Sequence, residues 1–412
     1  MFTSPRNLEK WAWIACLGPL INLGPVANAQ NFTLQVTNSD PLGLRSIIPG
    51  GEALDFGLTE GIKGAFKYGV AATSTYDTNF FITENNEKSE LSSTLMPYFN
   101  YRSDPEGGAK VSINANYTPM LRAYLHNSDL NGVDQTGDVS LRIEGGKTLI
   151  KAFALYTQVS GADRLTGTYV TGTLLNTGVQ ATYQVAPRTS LMGNWTAAMS
   201  DYDTTGSVGS DIYTTDVGAY WSYTERLSFG PAISYMITDS DNIGTRDAIA
   251  FSFQGQYLLG ERIRIMGSLG LEYAANSGGD EQSTFGPTGY LIARYEFNER
   301  WTWSNDIRYA MVPSPTQTGY IVNNLSAATI LNRNFLRHSV QFGMDYNLSL
   351  YENVGTATGN VSEENNLSAF LGFQRNFLSD RMAFNSRLSY TVNDGGTSWS
   401  QFQLMAGLTV AF

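Results

Sequence analysis

The sequence predicts an all-β fold: a transmembrane antiparallel β-barrel of about eighteen strands, with sixteen as the alternative, joined by short periplasmic turns and longer extracellular loops. Three observations carry this. Hydrophobicity alternates with period two over unusually long runs. The connections between runs alternate between short and long. One turn word recurs at the spacing of a complete hairpin.

The alternation is clearest in HSVQFGMDYNLSLY, where Val340, Phe342, Met344, Tyr346, Leu348 and Leu350 share one face. Gln341, Gly343, Asp345, Asn347 and Ser349 share the other. Strands of soluble sheets usually run about 5–6 residues. Here the alternation holds for roughly 10–14, the length that crosses a bilayer when tilted.

Composition agrees. The 412 residues include 41 Gly, 23 Tyr, 21 Phe and 7 Trp, and only 15% are charged. After the first thirty positions no run of about 18 apolar residues exists, which excludes a helical membrane span. The formal charge of −11 argues against nucleic acid as a partner.

Taken in order, residues 1–29 read as a secretory leader. Arg6 and Lys10 precede an apolar stretch from Trp11 to Val26, broken by Gly18, Pro19 and Pro25, and Ala27-Asn28-Ala29 is a small-residue cleavage site. The sole cysteine, Cys16, lies there. The exported chain then carries no disulfide and no thiolate metal site. Residues 30–60, with Pro41, Pro49, Gly50 and Gly51, read as a periplasmic arm. The barrel occupies 61–412.

Turn signals cut the barrel into expected strands at 64–77, 92–104, 110–127, 138–146, 148–163, 174–186, 190–203, 210–224 and 227–241. They continue at 245–260, 263–278, 286–299, 301–315, 319–334, 338–354, 365–377, 381–393 and 398–412. The boundary at Gly145-Gly146-Lys147 reads either as a turn or as a bulge. The short connections include APR, GER, NER and FLR, and the long ones NSDLNGVDQTG, DYDTTGSVGSD and GTATGNVSEEN. Arg188, Arg226, Arg262, Arg300 and Arg337 follow one another at 38, 36, 38 and 37 residues, one hairpin each. In FNERWTWS, Trp301 and Trp303 start a strand on its lipid-facing parity, where aromatic rings form an interfacial girdle. The last strand ends on Phe412, which shares a face with Phe402, Leu404, Ala406, Leu408 and Val410. Such an end resembles the signal read by barrel-assembly machinery.

The stretch STYDTNFFITENNEKSELSSTLMPYFNY, with Tyr76, Asp77 and Asn79, resembles the opening of the beta-barrel porin 2 family. The acid–Arg turn words are similar too, and the resemblance spans about 60–412. Thr78 departs from the acidic residue usual in that motif. The resemblance implies an outer-membrane barrel, often associated with exopolysaccharide or exosortase-type systems.

Parity sends Arg102, Arg122, Arg142, Arg264, Arg294, Arg308 and Arg387 inward, with Glu144, Glu272, Glu296, Asp306 and Asp345. These are the candidate pore-lining residues, and they describe a mixed, slightly basic wall. Inward Tyr98, Tyr124, Tyr220 and Phe370 offer rings on which sugars could stack. No Ser/His/Asp set can be assembled, so no enzyme is expected. The remote exception is an outer-membrane hydrolase using His126, read as inward with Arg122 and Tyr124, beside Asp129. Residues 239–247 place Asp239, Asp241 and Gly244 at EF-hand spacing, but Ala250 stands where the closing Glu belongs. They read as an acidic loop, with no metal site or cofactor expected.

The expected function is a porin-like channel for passive passage of small hydrophilic solutes. The alternative is an accessory barrel of a polysaccharide export system. The expected partners are outer-membrane lipid and lipopolysaccharide, barrel-assembly machinery through Phe412, further copies of the chain, and polysaccharide export components.

Overall fold

The computed structural model describes residues 66–104, 108–162, 169–203, 209–240, 244–276, 283–313, 320–353, 363–377, 381–395 and 398–412. The expected leader (1–29) and arm (30–60) lie outside the described residues.

Eighteen strands form one sheet. They are β1 (Phe66–Asp77), β2 (Glu90–Arg102), β3 (Val111–Tyr124), β4 (Gly132–Glu144), β5 (Thr148–Ala162) and β6 (Tyr169–Ala186). Next come β7 (Thr189–Tyr202), β8 (Ser210–Ser222), β9 (Leu227–Ser240), β10 (Gly244–Leu259), β11 (Ile263–Asn276) and β12 (Ser283–Asn298). The last are β13 (Trp301–Pro313), β14 (Tyr320–Asn334), β15 (His338–Asn353), β16 (Glu363–Phe377), β17 (Met382–Asp394) and β18 (Trp399–Ala411). Each pairs antiparallel with its chain neighbours. The ladder from Gly69↔Ala411 to Asp77↔Gln403 returns β18 to β1, so the sheet closes without an edge.

Directly paired residues face the same side of a sheet, so the inner face can be followed around the barrel. One row runs Lys67, Asn100, Asn116 and Asp138 across β1–β4. Another runs Arg264, Arg294 and Ser304 across β11–β13. The opposite parity is apolar and exposed on the outside, with Leu269 75% and Phe251 58% exposed. Such a surface suits hydrocarbon, not water.

Eighteen strands replace the sixteen-strand alternative. Gly145-Gly146-Lys147 is a turn, closed by Gly145 N donating to Thr148 O at 2.7 Å. Two expected boundaries move furthest. β4 begins at Gly132, not 138, because the ladder to β3 continues through Thr118↔Thr136 to Arg122↔Gly132. The Gly, Asp and Asn content of that stretch imitates a loop, yet its backbone pairs. β6 likewise starts at Tyr169 rather than 174. The stretch 239–247 is no twelve-residue ion loop. β9 runs to Ser240, β10 resumes at Gly244, and Thr245 lies opposite Asp239 in the ladder.

The recurring turn word has a backbone explanation. At each short turn a basic residue stands just before the next strand, and its carbonyl accepts an N–H from the strand that follows that one. Ser222 donates to Arg188 O, Leu258 to Arg226 O and Glu296 to Arg262 O, all at 2.8 Å. Asn334 donates to Arg300 O at 2.7 Å and Asn376 to Arg337 O at 2.8 Å. The residue opening the turn supplies an acceptor. Asn298 Oδ1 takes the N–H groups of Arg300 (2.9 Å) and Trp301 (3.1 Å). Thr224 Oγ1 does the same for Arg226 (3.2 Å) and Leu227 (3.0 Å). These are side-chain-capped turns of the Asx and ST kind. Gly260, at φ +70°, supplies the left-handed residue of another.

Candidate functional site: the barrel lumen and its mouth

The candidate charges divide into one cluster and several scattered groups. Arg264, Arg294, Glu296, Asp306 and Arg308 gather on the inner face of β11–β13. Arg264 lies directly opposite Arg294 in the ladder, and Arg308 opposite Tyr290. Arg308 is clamped bidentately by Asp306 on its own strand. Elsewhere, Arg142 meets Glu144 at 2.6 Å, with both exposed near the short-turn end. Arg102 ends β2, and Asp345 stands opposite Ala328 and Ser368. Arg122 belongs to a group near the long-loop end. It pairs with Asp134 at 2.9 Å and donates to Ser160 O at 2.7 Å, while Ser160 Oγ donates to Asp134 at 2.7 Å. Glu272 sits 3.8 Å from Arg246, whose side chain is 2% exposed.

Inward charges that sequence reading missed change the balance. Register adds Lys67, Lys151 and Arg246 to the cations, and Asp77, Glu90, Asp134, Asp138, Asp216 and Glu364 to the carboxylates. The wall is therefore mixed and nearly neutral, not basic. Strict parity counting inside the strands could have found Asp138 and Asp216. Glu90, Asp134 and Arg246 sit beside segments whose composition reads as loop. In an eighteen-strand ring β12 lies across from β3. The arginines of β11–β13 thus face an arc in which Asn116 Nδ2 donates to Asp138 at 2.8 Å.

The inward aromatics do not form open stacking platforms. Tyr98 lies flat over Gly69, where any Cβ would collide with its ring. Phe370 lies on Gly343 in the same way, and its ring also carries Arg387 at 3.9 Å from the centroid. Tyr220 is buried against Met192 and donates to Gln254. Tyr124 is covered by Phe80 at 5.2 Å. Rings laid against the wall leave the lumen to the polar groups.

The Tyr76–Asn79 motif builds the long-loop end of the closing seam. Tyr76 points outward and is exposed, while Asp77 and Asn79 are buried. Asp77 Oδ2 accepts from Gln401 Nε2 and Gln403 Nε2, both at 2.8 Å. Asn79 Nδ2 donates to Ser400 O at 3.0 Å and to Thr83 O at 2.9 Å, while its Oδ1 accepts from Thr83 N at 3.0 Å. The loop then turns through Ile82 at φ 54°, which packs on Trp399. Phe80 reaches Tyr124 and Tyr169. The motif thus extends the β1–β18 junction past its last ladder pair and fixes a loop over the mouth.

His126 is not an inward strand residue, because β3 ends at Tyr124 and parity stops there. It is 65% exposed, and its nearest carboxylate is Glu90 at 3.5 Å rather than Asp129. Glu90 caps the β3–β4 loop. Its carboxylate accepts the backbone N–H groups of Leu125 (3.0 Å), His126 (3.0 Å) and Asn127 (3.1 Å). The arrangement holds a loop.

On the outer surface, Trp301, Trp303 and Phe412 all take outward register at the short-turn end. Trp303 is only 4% exposed, stacks on Phe297 at 6.3 Å and donates to Thr329 Oγ1 at 2.6 Å. Phe412 stacks on Tyr68 at 5.8 Å, and its N–H donates to Tyr68 O at 2.8 Å. Toward the long-loop end a second pattern repeats that sequence reading did not find. Outward tyrosines on upward strands donate diagonally to the next strand: Tyr117 to Gln135 (2.8 Å), Tyr235 to Asp247 (2.7 Å), Tyr309 to Asn323 (3.4 Å) and Tyr346 to Asn365 (2.6 Å). Each acceptor lies two residues nearer the long loop than the tyrosine's direct partner. A ring in hydrocarbon with its hydroxyl handed to a polar group marks a membrane interface.

No family model matches the chain, and no curated protein matches it. Among solved structures it is similar to the outer membrane protein opdK from Pseudomonas aeruginosa, at 12% identity and TM-score 0.47, covering 84% of this chain and 99% of that one. It is similar to OccAB3 of Acinetobacter baumannii at 12% identity and TM-score 0.47, covering 84% and 99%. It is also similar to OccK2 (OpdF) of Pseudomonas aeruginosa at 12% identity and TM-score 0.47, covering 84% and 98%. The transmembrane barrel itself rests on the closed eighteen-strand sheet and its apolar exterior.

Proposed function

We propose that this chain is a porin-like channel of the bacterial outer membrane, letting small hydrophilic solutes pass passively. The observation that carries the reading is the inner face. Barrels of 16–18 strands leave an aqueous channel unless something fills it. Here charged and polar residues from every arc of the barrel face inward among apolar ones such as Met96 and Met192, and Tyr98, Phe370 and Tyr220 lie against the wall. Inward charges of both signs stand on each side of that path, Arg264, Arg294 and Arg308 beside Glu272, Glu296 and Asp306 on β11–β13, and Lys67 in the row of Asn116 and Asp138 across from them. A lining of both signs suits small polar solutes, charged or neutral. The twelve candidate wall residues, from Arg102 to Arg387, are the lining in this reading, and Trp301, Trp303 and Phe412 belong to the periplasmic girdle. A leader (1–29), a periplasmic arm (30–60), recognition of Phe412 by assembly machinery and kinship with the beta-barrel porin 2 family complete it. The kinship is supported by Tyr76, Asp77 and Asn79 and the turn words alone.

Planar-bilayer recording of the refolded protein is the test. Stepwise, ohmic conductance is expected, and a folded, inserted protein that gives none overturns the channel.

A further inference from the structure

At the short-turn end, β14 and β16 each carry an arginine on the outward face. Arg333 lies opposite Trp301 and Val340, and Arg375 lies opposite His338, so the two bracket β15. Both are exposed. The Arg333 guanidinium lies over two rings, 4.7 Å from the centre of Trp301 and 4.4 Å from that of Phe335. Arg375 lies 5.0 Å from the centre of Phe377. Between them the His338 ring stacks on Phe335 at 4.2 Å. Among the described residues neither arginine makes an ion pair with a carboxylate.

Outward charge is costly in hydrocarbon and tolerated only near the interface. A guanidinium seated on an aromatic face is held in place, yet keeps its N–H edge available for bidentate contact with phosphate. Adjacent strands are about 4.8 Å apart, so the backbones of the two arginines, two strands apart, sit on the order of 10 Å from each other. A whole glycerophospholipid headgroup covers that span, with its phosphate on one guanidinium and its polar end reaching the other.

We propose that Arg333 and Arg375, with His338 between them, bind the headgroup of an anionic glycerophospholipid in the leaflet facing the short turns. The site depends on membrane insertion of the barrel in the orientation given above, and not on conduction. The phosphodiester docks on one guanidinium edge, the polar end of the headgroup accepts from the other, and the acyl chains lie along the apolar outer faces of β14–β16.

The test is lipid retention. The full chain is reconstituted in phosphatidylcholine vesicles containing a minor fraction of phosphatidylglycerol, extracted in mild detergent and weighed by native mass spectrometry. Preferential retention of phosphatidylglycerol is expected, with a loss of at least about tenfold in R333Q/R375Q. R226Q/R262Q, which removes two cations from turns on another arc of the same rim, is expected to retain the lipid. Equal retention of both lipids by the wild type overturns the site, as does unchanged retention in R333Q/R375Q. An equal loss in R226Q/R262Q overturns it in favour of a diffuse ring of charge. Displacement by inorganic phosphate alone would assign the site to free phosphate instead. Heat-modifiable migration on gels reports folding. If the double variant does not fold, R333Q and R375Q singly carry the test, each expected to lose part of the retained lipid. A bilayer recording without conductance would leave this result standing.

Discussion

The Asn79 side chain donates to the carbonyl of Ser400, 3.0 Å away in space and 321 residues on in the chain. Together with Asp77, which takes the amides of Gln401 and Gln403, it ties the first strand to the last beyond their ladder. Substituting Asn79→Ala removes a fully buried side chain that satisfies several backbone groups. A loss of about 1–3 kcal/mol in urea unfolding from vesicles is expected. Gln403→Ala, which removes one donor to Asp77, is expected to cost less. An Asn79→Ala barrel as stable as the wild type would deny the seam its role.

The two faces of β11 offer a sharper contrast. Leu269 points outward and is 75% exposed, while its neighbour Ser268 takes inward register opposite Gln254 and Tyr290. Leu269→Arg is expected to destabilise the inserted barrel by about 2–4 kcal/mol, and Ser268→Arg by much less. Equal costs for both would contradict the assigned parity.

Arg264 and Arg294 stand side by side in the lumen. Replacing both by Glu reverses the local sign of the wall. Single-channel reversal potentials under a salt gradient are expected to shift toward cation preference in R264E/R294E. An unchanged reversal potential would mean that ions pass elsewhere.

Tyr235, with its hydroxyl on Asp247, is expected to lie at the headgroup level of the long-loop leaflet. A Tyr235→Trp variant should be quenched strongly by lipids brominated near the headgroup, and weakly by those brominated near the chain ends. The opposite order would place the belt elsewhere on the barrel.

Glu90 gathers the amides of Leu125, His126 and Asn127. Glu90→Ala is expected to speed hydrogen exchange at these three positions while leaving the mid-strand amides of β3 protected. His126→Ala, which removes no such partner, is expected to leave exchange and conductance unchanged.

Much of this architecture was legible in the sequence, because a bilayer enforces its pattern residue by residue. Each Leu or Phe that faces lipid alternates with a residue that does not, so strand count and parity follow from Val340 to Leu350 and stretches like it. The recurring arginines were legible as punctuation, but not as carbonyl acceptors, since a turn word records spacing and not hydrogen bonding. Loop-like composition concealed the pairing of Gly132–Thr136, because Gly and Asp favour turns yet do not forbid a ladder. What stayed hidden is what depends on distant partners. Nothing near Asp77 announces Gln401, nothing near Glu90 announces Asn127, and no local pattern tells Tyr235 that Asp247 lies on its diagonal. Parity alone also suggested a basic wall, partly because Glu90 and Asp134 lay in segments read as loop, where parity could not yet be counted, and partly because Asp77, Asp138 and Asp216 were not counted within their strands.

Every strand pairing but one joins neighbours in the chain, and the exception is β1 with β18. Hairpins can therefore add one after another, each closing only a short loop at small entropic expense. The single non-local pairing leaves one large closure entropy to be met at the end. Contact order is thus concentrated in one junction, and the slow step of folding belongs there. The groups that Asp77 and Asn79 bind act on that step from both sides: they hold the ends once they meet, and they slow the parting from which unfolding must begin.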